Sequence, residues 1–149
     1  MTYNRVVQPE RHLRSSLACV AVFLAMGLWL EAMMGLRMQG WMDDTVRREF
    51  LRLGHAHGAL LGLLNVGLAW AMSRLRTPEV WASKARLAAL VGAVAVGLGF
   101  VGGGLWHGPT DPGPIVLVVP VGAMLLLTAT VAVALVRPED ARQSSGSSS

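Results

Sequence analysis

Four long apolar runs decide what this chain can become. Residues 17–36, 55–72, 87–105 and 115–136 are each close to the roughly 20 residues that a helix needs to cross a bilayer, and Glu31 is the only Asp, Glu, Lys or Arg inside them. A water-soluble domain would need four helices with almost no polar face, and a surface helix cannot hide such a stripe all round. The chain has 149 residues, of which 53% are hydrophobic. It reads as an all-α integral membrane protein in one domain over residues 1–143, a bundle of four transmembrane helices with spans near 16–36, 54–73, 86–106 and 114–136. Residues 144–149 read as a flexible tail or tag remnant and are set aside.

The basic residues set orientation. Nine of the 13 (Arg5, Arg11, Arg14, Arg74, Arg76, Lys84, Arg86, Arg137 and Arg142) flank the inner ends of the spans, and Arg37, Arg47, Arg48 and Arg52 lie on the other side. The positive-inside rule then predicts both termini in the cytoplasm, in a bacterial inner membrane. The partner implied is the lipid bilayer, with no nucleic acid, because no aromatic-interleaved basic patch accompanies the charge. The first span has a basic flank like a signal peptide, but no small-x-small cleavage pattern follows it, so it is expected to stay uncleaved. Cys19, the only cysteine, forms no intrachain disulfide.

Chemistry is concentrated at Gly54-His55-Ala56-His57-Gly58-Ala59-Leu60-Leu61-Gly62. Successive alternate residues on a helix point about 200° apart, so His55 and His57 face nearly opposite sides. Gly54, Gly58 and Gly62 form a small-residue ridge between them, with His55 about 60° to one side of Gly58 and His57 about 100° to the other. Asn65 falls near the ridge and predicts an interhelical hydrogen bond. The third span is also glycine-rich, and Gly99 and Gly103 are expected to pack closely against neighbours.

Topology adds two residues. With span two running inward and span three outward, His55, His57 and His107 all lie at outer ends, and Glu31 lies roughly 7 Å inside the outer end of span one at 1.5 Å per residue. Imidazoles with a carboxylate suit zinc, copper or iron, and imidazole alone suits haem. Met34, Met38 and Met42 would add a soft stripe if the first helix continued to Trp41, although methionine is ordinarily a gap-filler. His12 reads as a surface histidine, Trp41 as an interfacial anchor, Asp43 or Asp44 as a helix cap, and Pro120 as a kink in span four.

The His55-Ala56-His57 segment with its glycines resembles the His-x-His helix of the catalytic subunits of haem-copper oxidases and nitric oxide reductases. The resemblance covers about ten residues. It implies that His55 and His57 ligate haem on opposite sides of one helix, and it does not imply oxygen or nitric oxide reduction, because the further spans and histidines of that family are missing.

Three functions follow. One is a membrane protein binding haem b, or else copper or zinc, through His55, His57 and His107, with Glu31 as a further metal ligand, for electron transfer or sensing. A second is an accessory subunit that packs through its glycines in a homo-oligomer or larger membrane complex. A third is a small oligomeric transporter using Glu31 as its proton-coupled group. The sequence leaves open whether the chain is an enzyme.

Overall fold

A computed structural model describes residues 7–135, with side chains from Glu10 onward. The expectations for Arg5, Arg137, Arg142 and the tail from residue 144 lie outside these residues. The described chain is all-α: α1 Val7–Gly35, α2 Gln39–Met42, α3 Thr45–Arg74, α4 Glu79–Leu105, a 3-10 turn Pro114–Leu117 and α5 Val118–Leu135. Four of the helices are long and apolar enough to cross a membrane, as the apolar runs require.

Several boundaries differ from the sequence reading, and each has a local cause. The basic stretch before span one is helical from Val7 onward, so α1 begins well ahead of the span expected from about residue 16. At the other end α1 stops at Gly35, where Arg37 takes a left-handed backbone (φ 48°). The Arg37 amide donates to the Met34 carbonyl and the Met38 amide to the Met33 carbonyl, the paired bonds of a Schellman end. Met34 and Met38 therefore never share a continuous helix with Met42. Arg76 ends α3 with a positive φ as well (52°), and its successor's amide donates to the Met72 carbonyl. Pro120 sits in the first turn of α5, where the missing N–H leaves no intrahelical bond unmade.

The long helices form a row in the order α1, α3, α4, α5, with extensive packing only between neighbours in that order. Glycines let the backbones close. A side chain at Gly92 would meet the Gly122 carbonyl at 2.6 Å, so α4 and α5 cross almost backbone to backbone there. Phe23 of α1 is 4% exposed and wedges into a hole made by Gly58 of α3 and Gly97 of α4. A Cβ at either glycine would lie 2.3 Å from its ring.

Two apolar clusters fill the row. One joins α3, α4 and α5 around Leu68, Met72, Ala89 and Leu126. The other sits under the α1–α3 connection, where Leu30, Trp41 and Leu51 meet. Trp41 is an internal plug instead of an interfacial anchor: it is 8% exposed and edge-on to Trp29 at 5.6 Å. The outward faces, such as Leu28 on α1 and Val121 on α5, are left bare, as lipid-facing surfaces are.

Candidate functional site

His55 joins α3 to α1. Its Nδ1 donates to the backbone carbonyl of Phe23 across the α1–α3 interface at 2.7 Å. The ring fits because position 27 is glycine: a Cβ there would lie 2.1 Å from His55 Cε1. Since a carbonyl only accepts, the bond fixes the proton on Nδ1 and leaves Nε2 as a lone pair in the neutral ring. This arrangement is typical of metal-binding histidines, which hold their ring by donating the other nitrogen to a carbonyl.

His55 lines a cleft of about 570 Å³ between α1 and α3. Gly27, Leu30 and Glu31 form its α1 wall, and Thr45, Arg48, Glu49, Arg52 and Ala56 contribute from α3. The volume lies within the usual range of small-molecule sites. Charge of both signs lines it, because the first two turns of α3 are amphipathic and the helix runs from Thr45 into the membrane without a break.

His57 points to the other side, as the spacing predicts. Its Nδ1 donates to the Leu53 carbonyl of its own helix at 2.9 Å, and its ring lies on Phe100 of α4 at 4.9 Å between centroids. It borders an apolar groove of about 470 Å³ between α3, α4 and α5.

His107 is engaged elsewhere. Its Nε2 meets Asp44 Oδ2 at 3.0 Å, and its Nδ1 meets the Gly108 carbonyl at 2.6 Å. Asp44 also caps α3 by accepting from the Arg47 amide at 3.0 Å, so the capping choice resolves to Asp44. Burial pushes the Asp44 carboxyl upward, but the Arg47 amide, the His107 ring and the Arg47 guanidinium outweigh it and hold the group below the ordinary carboxylate range.

The three imidazoles and Glu31 therefore do not meet. His55 and Glu31 share the α1–α3 cleft, His57 lies in the opposite groove, and His107 straps the start of the α4–α5 loop to the N-terminus of α3. Among the described residues no group of three or more His, Cys, Asp or Glu side chains is placed to hold a metal ion. The glycines named from the sequence are occupied within the chain. Gly54 abuts Val101, Gly58 abuts Phe23, Gly62 abuts Val20, Gly99 abuts Val119 and Gly103 abuts Val116.

The sequence reading missed a polar core in the other half of the row. His12 is 6% exposed and lies inside the packing instead of on the surface. Ser16 and Asn65 are fully buried, and Arg86 is nearly so and paired with Glu79. Asn65 donates to the Leu61 carbonyl at 2.9 Å and to Ala89 of α4 at 3.1 Å, the expected interhelical bond. The signal for His12 was its spacing: His12, Ser16, Cys19 and Phe23 recur at three- and four-residue steps, one buried stripe of α1.

Comparison with known proteins supplies no relative from which a role could be read: no family model, curated protein or solved structure matches the chain.

Proposed function

We propose that this is a small haem-binding membrane protein, with haem b in the α1–α3 cleft and His55 as its protein ligand. The observation that carries the reading is His55 itself: Nδ1 tied to the Phe23 carbonyl, Nε2 left free, and the ring on the wall of a cleft of about 570 Å³. A bare zinc or copper ion needs three or four protein ligands, and the described residues offer no such set. Haem brings four nitrogens of its own and asks the protein for one or two, so it suits a cleft with one histidine. Arg48 and Arg52 on the same wall are the cations for its two carboxylates. The His57 groove has no cation among its lining residues, which favours the His55 side.

When bound, haem supplies an iron centre that can change oxidation state or hold a small diatomic ligand. The chain's own part is to fix the imidazole through Phe23, to make room for it at Gly27 and to pair the carboxylates at the outer edge. One protein ligand leaves a coordination position open, which favours sensing over simple electron transfer. The cleft would open at the outer surface of a bacterial inner membrane, with both termini cytoplasmic by the distribution of Lys and Arg.

The test is an absorption spectrum of detergent-purified protein, oxidised and dithionite-reduced, from cells supplied with haem. The expected result is a Soret band with reducible α and β bands. It should be lost in His55→Ala and His55→Gln and kept in His57→Ala and His107→Ala. His55→Gln should still fold, because one interhelical hydrogen bond contributes only about 0.6–1.7 kcal/mol in a membrane protein. A colourless protein from loaded cells would overturn the reading, and a band lost with His107 but not with His55 would move the site.

A further inference from the structure

The groove on the far side of α3 poses a separate question. Its walls are apolar side chains such as Leu61, Leu64 and Leu127, and it follows α5 from Val119 to Thr130, roughly 16 Å at 1.5 Å per residue. Two polar side chains border it. Thr130 is satisfied, since its hydroxyl donates to the Leu126 carbonyl at 2.9 Å. His57 is not. Its Nδ1 is committed to the Leu53 carbonyl, which makes Nε2 of the neutral ring an acceptor, and among the described residues Nε2 has no hydrogen-bond partner. An unpaired acceptor on an apolar, bilayer-facing wall is unfavourable until something donates to it.

We propose that this groove binds a neutral amphiphile with a hydroxylated aromatic head, a phenol or hydroquinone, whose hydroxyl donates to His57 Nε2 and whose tail lies along α3 and α5. Three features select that chemistry. The free atom is an acceptor, so the head must be a donor. No cation is present to hold an anionic head, and a phosphodiester has no proton to give. The Phe100 ring against His57 offers an aromatic wall beside the hydrogen bond. A hydrocarbon chain alone would fill the groove and leave Nε2 unpaired.

The probes are 4-dodecylphenol and its methyl ether, 4-dodecylanisole, in which a methyl group replaces the donated proton. Binding to the full chain in dodecyl maltoside is measured by equilibrium dialysis and by the ring-nitrogen shifts of histidine-labelled protein. The phenol should bind about tenfold more tightly than the ether, a difference of about 1.4 kcal/mol, and should move the His57 Nε2 resonance. His57→Phe, which keeps a flat ring, should bind both equally. Equal binding to the native chain, no binding of either, or a preference that survives His57→Phe would each overturn the proposal. If His57→Phe does not fold, the resonance of the native chain decides alone. The same measurements repeated on His55→Gln protein, which the cofactor reading expects to be haem-free, should give the same result, so the groove stands or falls apart from that reading.

Discussion

At the level of single residues, two histidines that look equivalent in the sequence are set apart by what their Nδ1 atoms find. His55 reaches across to α1, and His57 folds back on its own helix. A third, His107, is held by a carboxylate that also caps a helix. That double use makes Asp44 the most informative surface substitution. Asp44→Ala should lower stability by about 1 kcal/mol, the usual effect of losing an N-cap, plus whatever the strap contributes. The pH dependence has a definite sign. Because the folded carboxyl sits below its ordinary range, its contribution is complete above that range and is lost as pH falls through the folded value. Thermal unfolding in detergent across acidic pH should show that loss in the native chain, and Asp44→Asn should lack it. His12 teaches the converse lesson: its charged neighbours suggested a surface, but helix phase put it in the buried stripe.

At the level of elements, glycine spacing governs which helix meets which. Hydrophobic burial offers little between helices in lipid, so contact depends on dispersion and close approach. The Gly54–Gly62 ridge is spent inside the chain, with Gly54 toward α4 and Gly58 and Gly62 toward α1. An accessory subunit that used this ridge to bind a partner would have to open its own packing. Gly58→Leu should therefore break the fold of the isolated chain, because the side chain would occupy the place of the Phe23 ring. Gly67, about one and a half turns past Gly62, has open space beside it, and Gly67→Ala should raise stability by up to about 1 kcal/mol, the helix propensity difference. Monodispersity and thermal unfolding in detergent check both. The opposite ranking would mean that the ridge is an external interface.

The described residues form a row of four long helices, each with large apolar side chains exposed. Tryptophans mark its two ends. Trp70 and Trp81 are exposed and carry Arg74 at 5.5 Å and Lys84 at 6.0 Å over their rings, and Trp29 and Trp106 are exposed at the other end. Such pairs suit the boundary between headgroups and hydrocarbon. Reporter fusions at the two termini should both read cytoplasmic. Moving positive charge from the α3–α4 turn to the α1–α3 connection should weaken or reverse that topology.

The four helices were legible because hydropathy and length are local properties, and lipid requires every spanning segment to satisfy its own backbone. The opposed directions of His55 and His57 were legible for the same reason: 100° per residue is fixed before any packing occurs. The end of α1 at Gly35 was not, because it depends on an arginine accepting a left-handed backbone, and neither was the burial of Trp41. Convergence was the property furthest from the sequence. Histidines placed at the same end of their helices were expected to share a site, but a site also needs the helices to be neighbours with those faces turned inward. The row order α1, α3, α4, α5 and the glycine contacts decided that. They gave His55 a cleft, gave His57 a groove and left His107 to the loop, because close packing between helices is set by pairwise shape, which no single segment contains.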